Sequence, residues 1–169
     1  VNGRMDVSGG TVHMNASAVT APIANITLNN ATAVVNLSAG AIETYTYTTI
    51  AGATLNQTGG TFKLYRDFVN AGSYLATAGD FVVAGNGGTS SQFNALGTNQ
   101  FFNVVVNSGI TARFASVSNT AFQVKGNWTV NGTVSATQRA NTITFNGTGD
   151  QTIGGTASTT FRNLVINKT

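Results

Sequence analysis

Five carboxylates are the first residues here that could do chemistry: Asp6, Glu43, Asp67, Asp80 and Asp150. Paired carboxylates are what glycoside hydrolysis requires, and clustered ones hold Ca²⁺. Arg66-Asp67 and Arg139 are the one combination that could meet on a shared face. Asp in Gly-rich turns is ordinary, however, and these acids read best as turn and surface residues. His13 is the lone imidazole, with no Ser-His-Asp arrangement that spacing supports. It reads as a surface or strand residue. The expectation is therefore a non-enzyme: no catalytic residue, no metal ligand and no cofactor is assigned.

Two further motifs carry possible chemistry. Asn-x-Ser/Thr occurs at Asn15, Asn25, Asn30, Asn36, Asn56, Asn127, Asn131, Asn146 and Asn167, about twice the density that composition alone gives. Each is a candidate N-glycosylation site if its Asn faces outward. The alternative is that strand-turn steps such as Asn-Gly-Thr create sequons for conformational reasons. The run Glu43 to Leu55 is expected to place Thr44, Thr46 and Thr48 on one face and Tyr45 and Tyr47 on the other. A flat Thr row of that kind suits ice binding, but its spacing does not recur along the chain.

Composition narrows what must position these residues. The chain has 169 residues, and charged residues are 8% against a usual share of about 25%. It has one His, one Pro, one Trp and no Cys. A zinc cluster lacks ligands, and a disulfide framework is impossible. Eight Lys and Arg with a net charge of +3 do not make a phosphate-neutralising stripe, so nucleic acid is not an expected partner. Gly, Thr and Asn are abundant and poor helix formers. Apolar residues at 41% with little net charge argue against disorder. No apolar run reaches the roughly 18 residues of a membrane span. The start at Val1 has no apolar leader, as expected of a mature, trimmed or partial polypeptide. An ordered all-β chain of one domain over 1–169 remains.

That domain is repetitive. Residues 50–108 lie over 110–168 without gaps, with about eleven identities. Phe62 falls on Phe122, Phe68 on Trp128, Leu64 on Val124, and FFNVVVN (Phe101 to Asn107) on FRNLVIN (Phe161 to Asn167). The expected repeats are approximately 1–49 (degenerate), 50–109 and 110–169. Within them, strand centres recur about every 20 residues, as one coil of a β-solenoid would. The column Leu64, Ala84, Val104, Val124, Thr144, Leu164 is mostly apolar. Short alternating runs such as TFKLY, FVVAG and NTITFNG are strand-like. Gly-Gly, Asn-Gly and Ser-Gly steps supply corners that need positive φ. Stacked coils penalise like charges about 4.8 Å apart and favour Asn and Thr ladders, so the composition fits. Most aromatics fall in the apolar phase of their strands and should be core.

FNGTGDQTIGG (Phe145 to Gly155), TFRNLVINKT (Thr160 to Thr169) and FQVKGNWTVNGTV (Phe122 to Val134) resemble the motifs of β-strand repeat surface proteins of bacteria and archaea. The resemblance covers about residues 58–169. It implies a right-handed parallel β-helix or related solenoid in a secreted adhesin, sheath, filament or envelope protein. The motif marks architecture and not chemistry.

The chain ends on an apolar strand, FRNLVINKT, without a charged or Pro-rich cap, which is expected either of a fragment of a longer solenoid or of subunits that stack through their ends or edges into a filament, tube or sheet. The expected fold is thus a parallel β-solenoid with coils of about 20 residues; the alternative is an antiparallel β-sandwich of donor-strand filament type. The expected function is an extracellular structural protein of the cell surface. It would self-assemble into a filament, sheath or surface layer through terminal coils or edge strands, with itself as principal partner. The alternatives are an adhesin or carbohydrate-binding module, with an exposed aromatic or Asn-rich groove for surface polysaccharide, and a polysaccharide-active enzyme.

Overall fold

A computed structural model describes residues 4–14, 22–86, 90–114, 121–136 and 141–168. These residues form eighteen strands and no helix, and every strand pairing is parallel. The chain winds as a solenoid of about seven turns, which rules out the antiparallel sandwich.

Three faces stack along the winding axis. The first runs from Thr11–Met14 and Val34–Leu37 through 54–57, 73–76, Thr98–Phe101, Ala121–Val124 and Thr142–Phe145 to Asn163–Ile166. The second contains 41–44, 61–64, 80–83, Asn103–Val106, Trp128–Val130 and Ile153–Gly154. The third runs from Arg4–Val7 and Ile23–Leu28 through 46–49, 67–70, Ser90–Ala95, Thr111–Arg113 and Thr133–Ala136 to Thr159–Phe161.

Side chains alternate between interior and surface on each strand, and the inward ones stack in columns. On the second face Ile42, Phe62, Phe81, Val104, Trp128 and Ile153 are successive partners. On the third, Ile26, Tyr47, Phe68 and Phe93 follow one another, and Phe114 stacks on Phe93 at 4.4 Å. Most of the aromatics are core, as expected; Tyr45, Tyr65, Phe102 and Phe161 are the exceptions.

The spacing between column partners varies, from 19 residues (Leu64 to Val83) to 25 (Trp128 to Ile153). The fixed twenty-residue column is therefore corrected. Leu64 pairs with Val83 and not Ala84, and Val104 with Trp128 and not Val124. Ala84 and Thr144 are not buried. Extra residues enter at the corners, while each face keeps its register through backbone pairing.

One corner shows why glycine is required. Gly40, Gly60 and Gly79 stack there with φ of 72°, 65° and 87°. A Cβ on Gly60 would approach the Gly40 carbonyl oxygen to 2.6 Å, and one on Gly79 the Gly60 oxygen to 2.4 Å. Other corners hold polar side chains inside. Thr49 Oγ1 donates to Asn70 Oδ1 at 2.6 Å, and Asn70 Nδ2 donates to Asn99 Oδ1 at 2.8 Å. This three-coil ladder is fully internal, where unpaired amides would be costly. A surface ladder also forms, with Asn56 Nδ2 donating to Asn36 Oδ1 at 2.8 Å. The motif asparagines act similarly: Asn103 Oδ1 accepts from Asn127 N, and Asn127 Oδ1 from Thr152 N, both at 2.9 Å. Glu43 and Lys63, opposite charges on adjacent coils, pair at 3.5 Å.

Two buried tyrosines give a test with opposite signs. Burial pushes both phenols well above the ordinary range. Tyr74 donates to Gln57 Oε1, and Gln57 in turn donates to the carbonyls of Gly60 and Asp80. The Tyr47 hydroxyl has no hydrogen-bond partner among the described residues. Removing a buried unpaired hydroxyl relieves a desolvation cost, whereas removing one of two partners creates it. Tyr47→Phe is expected to stabilise by about 1 kcal/mol and Tyr74→Phe to destabilise by a similar amount. Urea unfolding followed by circular dichroism reads both, and equal signs would contradict the bonding described.

Candidate functional site

The last coil is the part of the molecule whose core positions lie open. Leu164 continues the column Phe122–Ile143, and Ile166 continues Val124–Phe145. Those predecessors are at most 1% exposed, while Leu164 and Ile166 are 45% and 59% exposed. Ile153, which follows Trp128 inward, is 43% exposed. The side chains alternate as in every other coil; among the described residues nothing stacks on their outer side. Among the described residues the strand Asn163–Ile166 pairs with Thr142–Phe145 alone, and at the opposite end Thr11–Met14 and Arg4–Val7 have one neighbour each. A recess of about 300 Å³ opens on the last coil between Phe145, Ile153 and Ile166, with Asp150 and Lys168 at its rim.

The motif residues explain how this coil is held. Gln151 Nε2 donates to the carbonyls of Val124 (2.9 Å) and Gly126 (2.6 Å), and its Oε1 accepts from Gly147 N. Phe145 is core and Phe161 packs against it. Lys168 donates to Gly149 O and to Gln151 Oε1.

The other candidates are dispersed. No strand register pairs one acid with another: Asp6 lies beside Thr27, Glu43 beside Lys63, Asp67 beside Thr46 and Gln92, Asp80 beside Thr61 and Asn103. Asp80 Oδ1 accepts from Asn103 Nδ2 at 2.9 Å. Asp150 is exposed in a loop. Arg66 and Asp67 form a loose pair at 3.8 Å; Arg139 lies outside the described residues. Among the described residues no three His, Asp or Glu group as metal ligands. His13 is exposed, with Nδ1 3.5 Å from Asn36 Nδ2 in the surface ladder. No helix is long and apolar enough to cross a membrane.

The sequons divide by exposure. Asn25, Asn30, Asn127 and Asn167 are exposed; Asn36, Asn56, Asn131 and Asn146 are half-buried; Asn15 lies outside the described residues. Asn30 Oδ1 accepts from Thr32 N and Oγ1. Asn146 Nδ2 is engaged by Gln123 Oε1.

The expected Thr row is corrected. Thr44 is buried, Tyr45 and Thr46 lie outward, and Tyr47 is buried again. The chain turns a corner at Tyr45, where the pairing register shifts between Thr44 and Thr46. Alternation restarts there, so Thr44 never joins Thr46 and Thr48. The corner instead carries Tyr45 stacked on Tyr65 at 5.3 Å, with Tyr65 donating to Glu43 at 2.7 Å. Burial, followed by that bond to Glu43, raises the Tyr65 phenol above its ordinary range.

A groove of about 460 Å³ crosses four coils at the corner between the first and second faces, beside Phe102. Corner residues break period-two alternation, so neither Phe102 nor this groove was legible from pattern. No protein-family model, curated protein or solved structure matches this chain.

Proposed function

We propose that this is a non-enzymatic structural protein of the cell exterior that self-assembles head to tail into a filament, sheath or surface layer. The observation that carries the reading is the uninterrupted parallel stack, in which each coil joins the next through backbone pairing and continuous apolar columns with very few charges. A second copy placing Thr11–Met14 against Asn163–Ile166 would continue the first face in parallel, with Val12 taking the place of the next column member after Leu164. Such a contact is heterologous and does not close on itself, so it builds polymers. Backbone pairing would supply register and the apolar columns affinity. The low charge of the chain leaves little electrostatic barrier. Asn25, Asn30 and Asn127 are the sequons best placed to carry sugar on the outside of such a fibre.

Negative-stain electron microscopy of the purified protein, with mass photometry across a concentration series, tests the assembly. Linear polymers that lengthen with concentration are expected. Particles that stay monomeric at high concentration overturn it.

A further inference from the structure

We propose that the groove beside Phe102 is a binding site for a linear polysaccharide, lying along the winding axis. The groove goes beyond the assembly contact; it shares Asp150 with the recess on the last coil, but Phe102 does not line that recess, so either reading can fail alone.

Its lining comes from four successive coils, through Thr77, the stretch 100–103, the stretch 125–127 and the loop 146–150. Adjacent parallel strands are about 4.8 Å apart, so four coils present a track roughly 15 Å long. An extended polysaccharide advances by a comparable step per sugar, which lets each ring face one coil. Phe102 stands at the corner, half-buried and backed by the core. It is the one aromatic in the groove lining, and a braced ring is the surface on which a pyranose stacks its C–H face.

At the floor beside Phe102, glycines let adjacent coils pack closely. Gly126 sits so close to the previous coil that a Cβ would meet Asn103 Oδ1 at 2.3 Å. A Cβ on Gly147 would meet the Lys125 carbonyl oxygen at 1.8 Å. The rim is polar and its charges balance, with Lys125 on one coil and Asp150 on the next. Asn103 and Asn127 are held by their Oδ1 atoms on backbone N–H groups of the following coil. Their side chains are therefore fixed before any ligand arrives, which limits the entropy lost on binding. One apolar ring with pre-set amides and one charge of each sign suits a neutral sugar chain better than a charged one.

Isothermal titration calorimetry with cellohexaose, N-acetylchitohexaose and hexagalacturonate tests this. At least one neutral hexamer is expected to bind, with its disaccharide binding much more weakly because it spans only part of the track. Phe102→Ala should weaken binding by about ten-fold, the scale of one lost aromatic stacking contact. Phe102→Tyr keeps the ring and should retain binding, which separates loss of the site from loss of the fold. Absence of heat with every hexamer overturns the proposal. So does binding that Phe102→Ala leaves unchanged, or preference for hexagalacturonate. Polymer length in the Phe102→Ala variant should equal that of the parent, since Phe102 does not line the recess on the last coil.

Discussion

Replacing Leu164 and Ile166 together by lysine is expected to abolish polymerisation while leaving the fold of the single chain intact. In the parent these side chains are already 45% and 59% exposed, so the isolated subunit loses little when they become polar. In an assembled pair they would be covered. Full burial of a Leu or Ile contributes about 1.5–3 kcal/mol, so covering what is still exposed contributes about half of that per side chain. Placing an ammonium group in each of these two apolar columns adds a desolvation penalty of several kcal/mol per ion. Together these weaken association by more than about 10³-fold, since each 1.4 kcal/mol is a factor of ten. Sedimentation should then show monomers at concentrations where the parent forms polymers. Circular dichroism of the two proteins should superimpose at low concentration. A variant that still polymerises would move the assembly contact away from the last coil. Leu164→Ala with Ile166→Ala keeps the surface apolar and should give an intermediate effect, which guards against an unfolded last coil being mistaken for a blocked interface.

The solenoid was legible because its physics is local. Alternating runs, glycine steps and a period near twenty each follow from one coil, and a parallel stack is the arrangement that reconciles them. The corner glycines were equally legible: the TGG step that ends at Gly60 has the positive φ its composition implies. What pattern could not supply is which face a strand occupies. The sixty-residue overlay places Phe62 on Phe122 and Phe68 on Trp128. All four are buried, yet Phe62 is on the second face and Phe122 on the first, and Phe68 is on the third and Trp128 on the second. The overlay matches inward phase, which apolar residues report. It is blind to face, because each of the three is lined by the same kinds of side chain.

Corners account for the remaining misses. Thr44 was assigned to an outer row because strict alternation was carried through a bend. Asn70 and Asn99 would be read as surface by polarity, but they lie inside, where they satisfy one another and the turn carbonyls. Gln151 stood in a recognisable motif, yet its role as a clamp on two carbonyls of the preceding coil depends on geometry between coils. The Phe102 groove had no comparable signal, since a second Phe after Phe101 reads as more core.

Phe68→Ala should be the most damaging single truncation in the middle of the stack, costing about 3–5 kcal/mol. The ring lies against Tyr47 at 5.2 Å and Phe93 at 5.7 Å within its column, and against Phe81 and Tyr74 at 5.5 and 5.6 Å across the interior. It therefore bridges coils and faces at once. The cavity left by alanine cannot collapse easily, because 46–49, 67–70 and Ser90–Ala95 are held at fixed spacing by backbone pairing on both sides. That constraint puts the loss at the upper end of the range for buried aromatics. Phe161→Ala, at a half-buried ring in the open last coil, should cost less than half as much, because solvent already reaches it. A solenoid couples each coil mainly to its neighbours, so the two sites also differ in kind. Phe161→Ala should fray one end, whereas Phe68→Ala should uncouple the coils before it from those after it. Urea unfolding is expected to show one transition for the parent and for Phe161→Ala, and a lowered, broadened or split transition for Phe68→Ala. Equal midpoints for the two variants would mean that stability does not depend on the continuity of the aromatic column.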